Sequence, residues 1–315
     1  MSLVNMIKKD EKVAKKDFLT LLDYSKEQIV HLIEEAILLE KKPLQTILQG
    51  KTLAMIFEKS STRTRVSFEA GMLQLGGHAL FLSSQDLQLG RGESIADTAK
   101  VLSSYVDAIM IRTFEHAKVE ELAKYADVPV INGLTDLFHP CQALADLKTI
   151  YQLKGKFEDV KVTYLGDGNN VAHSLMIACA KVGIDFVIGC PVGYEPNSEI
   201  TQSAKEIANK TGSSITITND PKEACEYADI IYTDVWASMG QESEQQERLK
   251  AFEGFQVNEQ LTTFAKKDYN FLHCLPAHRG EEVSAEVIDG PQSAVFIQAA
   301  NRLHVQKALL IELLA

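Results

Sequence analysis

The sequence predicts an α/β protein made of two doubly wound parallel-sheet domains with an active-site cleft between them. Three observations carry this: short apolar strands alternate with helical patterns, a second such series follows a charged turn, and 315 residues suit two domains. Residues 26–42 place Ile29, Leu32, Ile33, Ile37 and Leu39 at helical spacing. The unbroken apolar run Leu53, Ala54, Met55, Ile56, Phe57 reads as a strand buried on both faces. A helix over 62–75 follows, then strand 79–82, helix 95–105, strand 108–111, helix 119–125 and strand 128–131. A helical stretch over 142–153 leads into the charged turn 154–159. The second series predicts strand 160–165, helix 171–182, strand 186–189, helix 200–209, strand 215–217, helix 224–228, strand 230–233 and strand 271–273. A strongly apolar final helix spans 299–314. The domains are expected at 1–150 and 151–291, and sites at the C-terminal ends of the strands.

The chain carries 32 basic and 43 acidic side chains, a net charge of −11. That balance argues against a nucleic-acid or anionic-membrane surface. It also singles out Arg63, Arg65, Arg91, Arg112 and Arg302, because an anion site must be built against the overall field. Five cysteines, at 141, 179, 190, 225 and 274, are odd in number and form no C-x-x-C pair. Reduced thiols in a cytoplasmic protein are expected. Neither a secretion signal nor an apolar run approaching the roughly 20 residues of a membrane span is visible.

The most informative turn follows the first strand. Ser60, Ser61, Thr62, Arg63, Thr64 and Arg65 deliver the chain into a helix N-terminus. Such an end leaves about four N–H groups unpaired and carries partial positive charge. With hydroxyls and two guanidinium groups added, it becomes a phosphate cradle. An ordinary cap needs one hydroxyl and no arginine.

Other segments leave alternatives open. Gly166, Asp167, Gly168, Asn169 and Asn170 follow a strand and open a helix, which could be half of a dinucleotide fingerprint. The third glycine is missing, however, and no acidic ribose partner stands at a strand end about 20 residues on. No cofactor is expected. His273, Cys274, His278 and Arg279 cluster, but Cys274 and His278 offer only two metal ligands, so no metal is expected. A Cys–His nucleophile pair is the other reading. The Gly-rich polar loop 85–94 contains Gln88 and reads either as plain surface or as a binding loop.

The turn at Ser61–Arg65, the segments His139, Pro140, Cys141, Gln142 and His273, Cys274, Leu275, Pro276, and Asp234 to Gly240 together resemble the aspartate/ornithine carbamoyltransferase family. The last of these is similar to its ornithine branch. The resemblance implies transfer of the carbamoyl group of carbamoyl phosphate to the side-chain amine of L-ornithine, giving L-citrulline and phosphate through a tetrahedral intermediate. It implies carbamoyl-phosphate contacts from Ser61, Thr62, Arg63, Thr64, Gln88, Arg112, His139, Pro140, Cys141, Gln142, Cys274, Leu275 and Arg302. Arg112, His139 and Thr64 suit the carbonyl oxygen. Gln142 and the Leu275 carbonyl suit the carbamoyl nitrogen. Ornithine would be held by Asn170, Asp234, Ser238 and Met239, and Cys274 and Asp234 would contact the attacking amine.

The first domain would then bind carbamoyl phosphate and the second ornithine, with the C-terminal helix, about 292–315, packed back on the first. A homotrimer is implied, with Gln88 reaching a neighbour's site. Putrescine or acetylornithine as acceptor, and an NAD-dependent oxidoreductase, are the competing readings.

Overall fold

The computed structural model describes residues 15–84, 87, 92–237 and 244–315. In chain order the elements are α1 (Lys26–Lys41), β1 (Thr52–Phe57), α2 (Thr62–Gln74), β2 (His78–Ser83), α3 (Ile95–Ser103), β3 (Ala108–Arg112), α4 (His116–Tyr125), β4 (Val130–Leu134) and α5 (Pro140–Lys154). The second series is β5 (Lys161–Leu165), α6 (Asn170–Val182), β6 (Asp185–Gly189), α7 (Ser198–Thr211), β7 (Ile215–Thr218), α8 (Pro221–Cys225), β8 (Ile230–Thr233), α9 (Gln245–Ala251), α10 (Glu259–Thr262), β9 (Asn270–His273), α11 (Ala285–Ile288) and α12 (Val295–Leu314).

Two all-parallel sheets result, in the orders β2-β1-β3-β4 and β7-β6-β5-β8-β9. Their central strands are apolar and buried on both faces, because helices cover each side. One continuous core joins the halves: Leu144 and Leu147 of α5, Leu175 and Met176 of α6, and Val305 and Leu309 of α12 belong to it. α12 packs against α1, α2 and α5 and also touches β9.

In each sheet the strand order reverses once. The reversal falls between β1 and β3 in the first sheet and between β5 and β8 in the second. A crevice opens at such points beyond the carboxyl ends of the strands. Phe57 pairs with Arg112 at the first, and Leu165 with Thr233 at the second. The residues that follow these pairs line the cleft.

Several boundaries differ from the sequence reading. The helix expected at 224–228 is α8, three residues earlier. Pro221 starts it and the Asp220 side chain accepts from the N–H groups of Lys222 and Glu223. β4 runs two residues later than expected, because Pro129 has no N–H for the ladder and the strand continues through Asn132 and Gly133. α12 starts a turn early, at Val295, although Phe296 and Ile297 lie exposed. The short helices α9, α10 and α11 carry too few residues for periodicity to reveal. Among the described residues, no helix is long and apolar enough to cross a membrane.

Candidate active site

β1 ends at Phe57 and the chain turns into α2 with Ser61 as its cap. The Ser61 hydroxyl accepts from the Thr64 N–H at 3.2 Å. Arg63 then crosses the cleft and donates to the Leu275 carbonyl at 2.5 Å. Arg65 does not join it. Its Nε donates to Glu69 at 2.9 Å and its guanidinium lies 3.7 Å over the Phe81 ring. The cradle's further positive charges come from elsewhere in the chain, from Arg112 at the end of β3 and Arg302 on α12.

Arg112 is aimed by a bulge. Register between β3 and β4 slips at Arg112, which pairs with Leu134 rather than Gly133. Gly133 permits this, since a Cβ there would lie 2.6 Å from the Met110 sulfur. Arg112 and Arg302 are buried, 4% and 3% exposed, and neither has an ion-pair partner among the described residues. Burial, then Arg302 and Arg63, pull the Arg112 guanidinium down to about 10 from its usual 12.5. The Nε atoms of both Arg112 and Arg302 are buried with no hydrogen-bond partner. Three guanidinium groups thus line one cavity, and among the described residues none of them forms an ion pair, an arrangement that suits a multiply charged anion.

α5 begins beside them. His139 is its cap and Pro140 its first residue, where a missing N–H costs nothing. Burial and the charges of Arg302, Arg112 and Arg63 push the His139 imidazole well below its ordinary pKa, so it is neutral and keeps one N–H to donate. Gln142, one turn on, accepts from Arg302 at 2.7 Å and donates to buried Asp146 at 2.9 Å. Arg302 also donates to the Thr64 hydroxyl at 3.2 Å.

The second sheet supplies the opposite wall. Asn169 caps α6 by accepting from the Val171 and Ala172 N–H groups, and its amide donates to Asp234 at 3.1 Å. Asn170 donates to the Thr135 carbonyl at 2.5 Å. Asp234 follows β8, and its other oxygen accepts from the Val235 N–H at 2.8 Å and from the Cys274 thiol at 3.0 Å. Burial and the Asp234 carboxylate drive the thiol well above its ordinary pKa, so Cys274 is protonated at neutral pH.

The loop after β9 is held from behind. His273 Nδ1 accepts from the Leu275 N–H at 2.9 Å, which leaves its proton on Nε2, 3.2 Å from Glu282. Glu282 also accepts from the His278 N–H at 2.6 Å. This pins Leu275 at φ +58, a left-handed conformation costly for a branched side chain, with its carbonyl facing Arg63.

Between the walls lies a cavity of about 430 Å³. It brings together Ser61, Arg63, Thr64, Arg112, His139, Gln142, Asn170, Asp234, Cys274, Leu275 and Arg302. Thr62, Pro140 and Cys141 do not line it. The Cys141 thiol turns into the core toward the Asn132 carbonyl at 3.6 Å, and burial raises its pKa to about 12. Gln88, Ser238 and Met239 lie outside the described residues, as does Arg91.

Lys59, His278 and Glu281 line the cavity without having been singled out for it. A lysine two residues past the strand end was the available signal. Among the described residues, two groups of side chains have ligand atoms close enough to share an ion: Asp234, His273 and Cys274, and His278, Glu281 and Glu282. In the first, both His273 nitrogens are already engaged and the thiol is protonated onto Asp234. At the Gly166 turn, Asn169 occupies the first-turn N–H groups that a dinucleotide pyrophosphate needs.

Comparison with known proteins agrees with this geometry. A model of the aspartate/ornithine carbamoyltransferase carbamoyl-P binding domain matches residues 16–152, and one of the Asp/Orn binding domain matches 158–313. The ornithine carbamoyltransferase of Bacillus subtilis (strain 168) is 69% identical over 295 residues, covering 94% of this chain and 92% of its own. That of Anoxybacillus flavithermus is 66% identical over 303 residues, 95% of this chain and 96% of its own. Among solved structures, the ornithine carbamoyltransferase from Pyrococcus furiosus superposes with a TM-score of 0.93 at 58% identity, covering 96% of this chain and 98% of its own.

Proposed function

The chain belongs to the aspartate/ornithine carbamoyltransferase family, and on that premise we infer that it transfers the carbamoyl group of carbamoyl phosphate to the side-chain amine of L-ornithine. The products are L-citrulline and phosphate. The observation that carries this reading is the convergence of Arg63, Arg112 and Arg302, in no ion pair among the described residues, opposite the Asp234–Cys274 pair across one cavity.

The N-terminus of α2 and the three arginines hold the phosphate. Without ligand, Arg63 occupies the Leu275 carbonyl. A bound dianion draws Arg63 toward itself and frees that carbonyl to accept from the carbamoyl nitrogen, alongside the oxygen of Gln142. Arg112, neutral His139 and the Thr64 hydroxyl then face the carbamoyl oxygen. Negative charge grows there as the amine attacks, and each fixed donor of this kind contributes about 2.7–4 kcal/mol to the transition state.

The attacking amine must be uncharged. The carboxylate of Asp234 and the protonated thiol of Cys274 orient it, one accepting from its N–H and the other lying beside it. The new N–C bond forms, the C–O bond to phosphate breaks, and the amine proton leaves with the phosphate. A thiol held protonated suits positioning and not nucleophilic attack.

Asn170, Ser238 and Met239 hold the ornithine α-carboxylate in this reading, and Asp234 its α-ammonium. The protein works as a cytoplasmic homotrimer in which Gln88 serves a neighbour's site. Support for assembly comes from an uncovered apolar face on α2 and β2, where Val66, Leu73, Leu80 and Phe81 are exposed. Support for the compartment comes from five free cysteines.

The direct test incubates the purified protein with carbamoyl phosphate and L-ornithine, N-acetylornithine or putrescine in turn and identifies the product. Citrulline from ornithine is expected. Product only from another amine moves the assignment to a sister enzyme.

A further inference from the structure

Asp146 is a fully buried carboxylate that the mechanism above does not use. It lies on α5, one turn after Gln142, with 0% of its surface exposed. Among the described residues no cation bonds to it. Instead one oxygen, Oδ1, accepts from two side-chain amides: Gln142 Nε2 at 2.9 Å and Gln298 Nε2 at 2.7 Å. Its other oxygen lies toward the buried Tyr232 hydroxyl, which helps to hold the charged form. A buried carboxylate kept this way is costly, so its placement calls for a reason.

Each amide reaches a different wall of the cavity. Gln142 uses its nitrogen on Asp146, so its oxygen must face Arg302 and the cavity. Gln298 likewise uses its nitrogen on Asp146, and its oxygen accepts from the His273 N–H at 2.9 Å. That N–H begins the loop that presents Cys274 and the Leu275 carbonyl. Oδ1 accepts from both amides at once, so turning either glutamine amide over would place its oxygen against that oxygen.

We infer that Asp146 is a positioning residue that locks the Gln142 amide with its oxygen toward the cavity, so that the site selects a transferable group bearing N–H over one bearing methyl. The inference deepens the proposed activity and rests on Gln142 facing the transferred group. A carbamoyl group offers two N–H donors where an acetyl group offers none. A fixed acceptor left unpaired by the methyl compound gives the discrimination.

The test measures binding by calorimetry of two stable phosphonates, phosphonoacetamide and acetonylphosphonate, which differ only by NH2 against CH3. Using ligands and not turnover keeps it separate from the proposed reaction: absence of citrulline refutes the activity, whereas the binding ratio judges Asp146. The unmodified protein is expected to prefer the amide by about tenfold or more, one hydrogen bond at the upper end of its net range. Asp146→Leu should lower the ratio severalfold, as should Gln142→Leu, with the Leu275 carbonyl keeping the remaining preference. Adding Asp146→Leu to Gln142→Leu should change the ratio no further, because one acts through the other.

An undiminished ratio in Asp146→Leu, or a further fall in the double variant, overturns the proposal. If the leucine variant does not fold, Asp146→Asn carries the test. It exchanges a charge-assisted contact for a neutral one and should lower the ratio about threefold, with the same lack of effect on Gln142→Leu. An unchanged ratio there overturns the proposal equally.

Discussion

Replacing Arg112 with methionine should make the ligand-free protein more stable and nearly inactive at once. Methionine keeps most of the apolar stem and removes the guanidinium. Burial and the neighbouring Arg302 and Arg63 lower the Arg112 pKa from 12.5 to about 10. At ~1.36 kcal/mol per pKa unit, keeping that group charged costs the folded state about 3 kcal/mol in the absence of an anion. The gain is an upper bound, because any repacking around the thioether subtracts from it. A Tm rise of up to about 4 °C is expected by calorimetric melting without phosphate. Turnover should fall by about 10²–10³, the loss of one donor at the developing oxyanion. Added phosphate should then raise the Tm of the unmodified protein more than that of the variant, since only the former gains a full set of charges for the ligand. A variant that is both inactive and less stable would mean that Arg112 supports the fold. A variant with near-normal turnover would remove Arg112 from the site.

Cys274→Ser should lower kcat and weaken ornithine use without abolishing the reaction, and mass spectrometry of quenched turnover should find no carbamoyl group on Cys274 of the unmodified protein. A carbamoylated Cys274 on the reaction path would restore covalent catalysis. Asp146→Asn should stabilise the protein in a pH-dependent way. Burial raises the Asp146 pKa from 3.8 to about 7, so the native state loses stability as pH rises from about 4 through about 7. The gain from asparagine should be near zero at pH 4 and reach at most about 4 kcal/mol above pH 7; melts showing an equal gain at both ends would contradict it. Mixing inactive Arg112→Ala and inactive Gln88→Ala proteins should regenerate some activity through hybrid sites, and silence after demonstrated subunit exchange would count against sharing.

The legible parts of the sequence were those where short-range chemistry decides. Apolar runs such as Leu53 to Phe57 can satisfy their pattern only as buried parallel strands, and the Ser61 turn announces an anion by crowding hydroxyls and arginine onto a helix end. Arg65 stands beside Arg63 in the sequence and so reads as part of the same cradle. Residues two apart on a helix point about 200° apart, so only one of them can face the cleft. The place of Arg302 depends on how α12 docks against α2 and α5, which no local pattern carries. Asp146 looks like any polar residue on a helix until Gln298, 152 positions away, arrives at the same oxygen. The bulge that aims Arg112 rests on Gly133, a residue that reads as a weak point of its strand. Long-range docking, not local propensity, sets these features.

The central claim is an anion cradle facing a pocket built for an amino acid with a free α-carboxylate and α-ammonium. The ratio of kcat/KM for L-ornithine to that for putrescine, at saturating carbamoyl phosphate, addresses it most directly. A site with polar groups committed to those charges leaves them unpaired when putrescine binds, so a ratio of at least about 10³ is expected, falling in Asp234→Ala and Ser238→Ala. Equal or better use of putrescine by the unmodified protein would contradict the assignment of the second wall and with it the reaction proposed.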